Sequence, residues 1–486
     1  MRVGKSYGFA AALLAVLMLP SCGGSGKEVQ NGNEKETTVA TEAVAEETVP
    51  PSPVEEKDYG GAEFRVMTNV NDGGSWALDE FDAEETNGER LNDAVFARND
   101  YIAEKFNIVF NISNTDSKFA AATNTIKAGD DAFDLILPGI QSAFTWGANG
   151  YLYEVGNIPL LNTEAEWWNK YVLAETSVAH KNYFLLGDIN LLAYDSTAAF
   201  FFNKAMAEEY NVESPYELVR AGKWTFDKLM ELGENVSEDV NGDGTYGAED
   251  AYGVGINSYG ALCMIYGSGA CFAPKNTEDI PKITIAESTV AFFQKMVDAV
   301  TKGHTVMYGE KFGNERVTAL QKAFKENRML FYNEMLNRTS ILRDMDADFG
   351  VLPLPKGDDT QKEYETFIHQ SNSSVVCVPV TVREIERTGR ILEDIAYESH
   401  YYLYPVYLET TVKSKYLRDE DSEEMVDILL RGIRYDLACV SGSALINNLR
   451  TMLTNGDKNI ASNFESNRSS YEKGLADLTD KIAAMK

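Results

Sequence analysis

The chain has 486 residues, 44 Lys and Arg against 75 Asp and Glu, and a formal net charge of −31 at pH 7. That balance argues against a nucleic-acid partner, whose phosphates need clustered cationic side chains, and against direct adhesion to an anionic lipid surface. The length beyond residue 57 exceeds what one hydrophobic core comfortably fills and suits two lobes.

In chain order, Arg2 and Lys5 form a short basic start, Phe9 to Leu19 is almost wholly apolar, and Leu19-Pro20-Ser21-Cys22 closes the run. These are the three parts of a secretory signal. The apolar stretch is shorter than the roughly 20 residues of a permanent membrane helix, so residues 1–21 are read as a cleaved leader. A cysteine placed after a small residue at this point resembles the lipobox of bacterial lipoproteins. The resemblance implies that Cys22 is acylated and anchors the chain to the extracytoplasmic face of a membrane. From Gly23 to Lys57 there is no aromatic residue but many Glu, Thr, Ala and Val, together with Val49-Pro50-Pro51-Ser52-Pro53-Val54. Such a composition cannot bury enough apolar surface to offset its ordering entropy, so residues 22–57 are expected to form a flexible acidic linker.

Glu63 to Met67 alternates as a half-buried strand and runs into Thr68 to Ser75, a loop of turn residues. Leu91, Ala94, Val95, Ile102 and Phe106 recur at helical spacing, with Thr86 or Asn87 placed to cap. Asn107 to Ile112 and Phe133 to Leu137 read as further strands, and strand-helix-strand order implies a parallel sheet covered by helices. Ligands of such sheets bind outside the strands' carboxyl ends, which makes the loops from Thr68 to Trp76 and from Pro138 to Trp146 candidate site segments. Strand-like runs follow at Phe184 to Asn190 and Thr197 to Phe202, separated by Tyr194-Asp195-Ser196. Helices are expected at Thr225 to Glu234 and Glu287 to Lys302, and strands at Arg328 to Tyr332 and Phe349 to Leu352. Phe464, Tyr471, Leu475, Leu478, Ile482 and Met485 give a long amphipathic terminal helix.

The sharpest local motif spans Asp239 to Asp250. Asp239, Asn241 and Asp243 put side-chain oxygens at positions one, three and five, Gly244 allows the sharp turn, and Thr245 offers its carbonyl. A structural calcium ion suits that density of hard oxygen donors, although Asp250 has a shorter reach than the usual Glu at position twelve. Catalytic patterns are weak by contrast. His180, His304, His369 and His400 are scattered, and no zinc helix, nucleophile elbow or phosphate-cradling loop is legible. Aromatic residues in the strand-end loops, Trp76 and Trp146, suit the apolar faces of sugar rings. Cys263 and Cys271 are close enough in sequence to pair in an exported chain, and equally able to stay reduced.

Asp93 to Asn99, Asn203-Lys204 after the Phe run, Gly222 to Asp227, the Asp-Asn-Asp loop, Asp348 to Lys356, and Tyr416 to Asp419 with Met425 to Asp427 follow one another in a familiar order. Together they resemble the family 1 extracellular solute-binding proteins of ABC importers. The resemblance implies an α/β, two-lobed periplasmic-binding-protein-like fold of type II, with discontinuous lobes joined by crossing strands. It puts the crossings near Tyr194 to Ser196, Tyr332 to Glu334 and Ser399 to Tyr404. The lobes would then be residues 58–195 with 332–398, and residues 196–331 with 399–486. It also implies a monomer that captures a carbohydrate, an oligosaccharide, and hands it to permease subunits without covalent chemistry. The matching cleft regions hold Asn71, Asp72, Trp76, Gln141, Trp146, Asp195, Tyr332 and Glu334. The motif around Trp224 recurs in the family whatever the solute, which implies packing for that ring. A surface glycan-active enzyme, or a glycan-holding adhesin without a permease, is the alternative.

Overall fold

The computed structural model of the protein describes residues 49–69, 78–115, 119–342, 344–368, 373–413, 420–440 and 444–485. Cys22 and the leader lie outside the described residues.

β1 (Ala62–Asn69) sends Phe64 and Val66 into one buried cluster and Met67 into another, the period of two of a strand packed on both faces. It runs parallel to β2 (Ile108–Thr115), which it reaches through the helix Arg90–Phe106, and parallel to β3 (Leu135–Ile136) on its other side. The order is β2-β1-β3. Single bridges from Ile136 to Cys377 and from Val376 to Leu185 extend this sheet. The helix begins later than its capping signals imply. Gly88 turns the chain at φ +86°, Glu89 takes the cap position, and the Asp93 carboxylate accepts the N–H groups of Asn87 (2.9 Å) and Gly88 (3.3 Å).

The second sheet is built from β4 (Ala198–Asn203), β5 (Tyr252–Ile256), β6 (Val306–Tyr308), β7 (Met329–Met335) and β8 (Phe349–Leu352), in the order β6-β5-β7-β4-β8. β5 is parallel to β6 and β7, while β4 is antiparallel to β7 and β8. All six residues of β4 are buried, which is why this strand is a continuous apolar run rather than an alternating one. Trp224 is fully buried, its indole N–H donating to the Pro353 carbonyl at 2.9 Å. β9 (Thr366–Phe367) and β10 (Ile433–Arg434) form a separate parallel pair.

Among the described residues three passages link the sheets: the first and third are helical where crossing strands are expected, and the second lies elsewhere in the chain. The first runs from Leu185 to β4 through a short helix, Leu191–Asp195. Tyr332 to Glu334 do not form the second, because they lie inside β7 with β5 and β4 bonded on either side, and the following β8 stays in the same sheet. The chain returns instead between Ile368, bridged to Thr197, and Val375 to Cys377, bonded to Pro138, Leu185 and Ile136. The boundary expected at residue 332 moves there. The third passage is helical. Helix Ile385–Glu398 buries Ile391 and Ile395 in the smaller cluster, continues through a π-helical turn at Ser399–Leu403, and reaches Tyr404–Tyr407, with Leu403 and Tyr407 in the larger cluster.

The last part of the expected linker is also docked rather than free. Val54 is buried, Ser52 donates to Asp394, Lys105 bonds both (3.1 Å to Ser52 and 2.7 Å to Asp394), and the Tyr397 hydroxyl donates to the Pro50 carbonyl. Proline-fixed backbone loses little entropy on docking, which offsets the poor apolar content of the segment. Among the described residues, no helix is long and apolar enough to cross a membrane.

Candidate functional site

The carboxyl ends of β5, β6 and β7 bring one polar group together. β5 ends at Ile256, and Asn257 caps the helix Ser258–Gly267 by accepting the N–H groups of Tyr259 and Gly260, both at 2.9 Å. Ser258 is buried and donates through its backbone N–H (3.1 Å) and its hydroxyl to Glu310, which follows β6. Arg450, on helix Ala444–Asn455, donates Nε (3.1 Å) and Nη2 (3.0 Å) to the same hydroxyl, and its guanidinium lies 5.9 Å from the Tyr259 ring centroid. One hydroxyl thus joins a cation to a carboxylate and fixes both. The other Glu310 oxygen, Oε2, is buried and has no partner among the described residues, and the same holds for Asn333 Oδ1 on β7. A guanidinium donor, carboxylate and amide acceptors, and a Tyr ring can take up a hydroxylated ring by directed hydrogen bonds and stacking.

The residues expected in the cleft fare unevenly. Asn71, Asp72 and Trp76 fall outside the described residues. Gln141 is half-buried in the first turn of helix Ile140–Ala148, just beyond the end of β3. Trp146, five residues on in the same helix, turns into the core and meets Phe119 edge-on at 6.1 Å. Tyr332 is fully buried between Phe201 and Phe324, with ring centroids 6.3 and 5.5 Å away, so its ring is core rather than cleft wall. Glu334 is buried, accepting the Tyr332 hydroxyl and the Met335 N–H, each at 3.1 Å. Burial raises the Glu334 carboxyl pKa. Trp146, one of the two rings that suit a sugar face in sequence, is thus taken up by core packing.

Asp195 belongs to a polar cluster that links all three passages. It accepts the Tyr407 hydroxyl at 2.8 Å, and burial pushes its carboxyl up to about 6. Nearby Glu80 accepts the Leu192 N–H (3.0 Å) and the Ser374 hydroxyl (2.5 Å), and burial pushes it up to about 7. Arg98 donates to Ser399, to the Glu80 carbonyl and to Asn99. First, second and third passages therefore each contribute a hydrogen-bonding group to one buried network.

The Asp239 to Asp250 segment folds as a tight acidic loop. Asp239 accepts the N–H groups of Gly242 and Gly244 (2.8 Å each), Asn241 that of Asp243 (2.8 Å), and Asp243 the N–H and hydroxyl of Thr245 (2.8 and 2.6 Å). The Thr245 bonds hold the Asp243 carboxyl below its usual range. Asp250 departs from the ligand role expected of position twelve. It is fully buried, and its two oxygens accept Val240 (3.0 Å) and Gly247 (2.7 Å) N–H groups, clasping the loop from inside. Among the described residues, no three His, Cys, Asp or Glu side chains converge as a metal cluster.

No protein-family model and no curated protein matches the sequence. Solved structures do match. A cyclo/maltodextrin-binding protein complexed with maltotetraose aligns over 87% of this chain and 96% of its own, at 12% identity and a TM-score of 0.56. The maltose-binding periplasmic protein of Listeria monocytogenes, in complex with maltose, aligns over 87% and 99%, at 12% identity and 0.55. An ABC substrate-binding protein of the same organism, in complex with cycloalternan, aligns over 87% and 98%, at 13% identity and 0.52. The chain has the two-lobed fold of the ABC solute-binding proteins. The strand-end group around Ser258 and the Glu80–Asp195 network are assembled only by the fold, from segments far apart in sequence. Only Asp195 among them was singled out. β5 was overlooked because two of its five residues are glycine, which weakens a strand signal. Gly253 is needed there, since a Cβ would lie 2.2 Å from the Gly233 Cα.

Proposed function

We propose that this protein is the solute-capturing component of an ABC importer, a monomer held on the extracytoplasmic face by lipid on Cys22. It binds a carbohydrate, an oligosaccharide, and delivers it to permease subunits. The observation that carries this reading is the likeness of 87% of the chain to nearly whole proteins described as binding maltose, maltotetraose or cycloalternan. The Ser258–Glu310–Arg450 group with Tyr259 supplies suitable donors, acceptors and a ring face, and no covalent step is needed. Solute shifts the protein toward the conformation it binds best, which is what a permease can read. We also assign calcium to the acidic loop, held by oxygens of Asp239, Asn241, Asp243 and Thr245, with Asp250 as the inner clasp.

Thermal-shift measurements against maltose, maltotetraose, cycloalternan, raffinose and their monosaccharides test the carbohydrate assignment. A ligand present at 100 times its dissociation constant adds about 2.7 kcal/mol of stability, a clear upward shift of Tm, and Arg450→Ala should remove most of that shift. Flat melting curves for every sugar, or release of reducing ends from glycans at enzyme-like rates, would overturn the reading.

A further inference from the structure

A cavity of about 710 Å³ lies away from the strand-end group: none of Ser258, Tyr259, Glu310 and Arg450 lines it. Its size falls within the roughly 300–1,000 Å³ of small-molecule sites. Its walls come from both sides of the passages between the sheets. Trp168 and Tyr171 precede the first passage, Tyr364 precedes the second, His400 and Tyr404 sit on the helical third, and Arg434 belongs to β10.

Two features of the lining point to one ligand chemistry. Several of the planar polar groups, Asp188, Glu166, His400 and Arg434, are held by a second partner, so they present fixed orientations. Asp188 accepts the Tyr194 hydroxyl at 2.6 Å and lies 2.6 Å from His400 Nδ1, Glu166 accepts the Tyr401 hydroxyl at 2.6 Å, and the Arg434 guanidinium lies 3.6 Å from the Tyr171 ring centroid. These alternate with aromatic rings, of which Tyr171 is 52% exposed. The charges nearly cancel, with three Lys and Arg against four Asp and Glu beside His400. An anion or cation would gain little from such a lining. A neutral ring with apolar C–H faces and several hydroxyls matches both features, stacking on the aromatic rings while Asp, Glu, His and Arg bond the hydroxyls in pairs.

We propose that this cavity is a second carbohydrate site, taking one or two neutral sugar rings independently of the strand-end group. The inference rests on the carbohydrate reading above but fails separately from it. Calorimetric titration of the whole soluble chain with maltose, maltotriose, raffinose and cellotriose gives the stoichiometry, repeated for Tyr171→Ala, Glu363→Ala and Arg450→Ala. The two rim variants alter exposed side chains, and circular dichroism checks that all three fold. The expected result is two binding events for at least one sugar, one weakened more than tenfold by Tyr171→Ala or Glu363→Ala and the other by Arg450→Ala. A single event lost in Tyr171→Ala and kept in Arg450→Ala overturns the claim of a second site together with the strand-end placement, leaving the cavity as the one site. A single event lost in Arg450→Ala and untouched by the rim variants overturns the second site and leaves the proposed function standing. Absence of binding by all four sugars overturns both.

Discussion

Gly260 shows how closely the strand-end group is built. A Cβ there would lie 2.0 Å from Asn333 Oδ1, and Asn333 is itself fixed by its Nδ2 bond to the Ala199 carbonyl at 3.0 Å. Gly260→Ala must push β7 and the helix Ser258–Gly267 apart, costing about 1–3 kcal/mol, and the expected fall in Tm is read by calorimetry. Glu80 sets a pH dependence of stability. Burial raises its carboxyl from 4.5 to about 7 against the pull of its Ser374 and Leu192 bonds. The folded form therefore holds the proton more tightly than the unfolded chain. This stabilisation is full below pH 4.5 and is lost as pH rises through 7, with a ceiling of about 3 kcal/mol. Glu80→Gln should flatten the melting profile across that window, and an unchanged slope would place the titration elsewhere. Burial raises Asp195 in the same direction, to about 6, so some acid-side stabilisation should remain in the variant.

The chain from Ile385 to Tyr407 stays helical through the π turn at Ser399–Leu403. A π turn holds one residue more than an α turn, and such turns gather at functional positions. Here it carries His400 to Asp188 and Ser399 to Arg98. The acidic loop is closed by backbone N–H groups on Asp239, Asp243 and Asp250. A chelator should lower Tm by a few degrees if calcium adds to that closure, with the effect reversed by added calcium. Metal analysis of protein prepared in calcium should then give one ion per chain. No change in melting and no bound metal would reduce the loop to a hydrogen-bonded turn.

For the whole molecule, the proposed lipid anchor on Cys22 and the proposed solute binding are expected to be separable. Cys22→Ser should move the protein from the membrane fraction to the medium and impair uptake at low solute concentration, while leaving solution affinity unchanged, because tethering raises effective concentration without adding contacts. Co-sedimentation with membranes and calorimetry on the released protein check the two halves. Much of the architecture was legible beforehand. The alternation of β1, the apolar run of β4, the limits of β8 and the stripe of the terminal helix, with Phe464, Tyr471, Leu475 and Ile482 buried, all follow from local periodicity. The ordered motifs pointed to the two-lobed solute-binding fold that the structural matches bear out. The sites were less legible, since a sequence displays which residues are aromatic or acidic but not which of them the core will take. Tyr332 and Trp146 went inward because β7 and helix Ile140–Ala148 pack on apolar neighbours, and that decision belongs to contacts from distant segments. The Ser258–Glu310–Arg450 group spans almost two hundred residues of chain and exists only where the ends of β5 and β6 meet the helix Ala444–Asn455. Periodicity along one segment reports which face that segment buries, so sequence alone determined the strongly periodic elements and the fold class, while β5, with its two glycines, escaped it. Tertiary structure decided the passages and the sites, because these depend on which strand ends the folded sheets bring together.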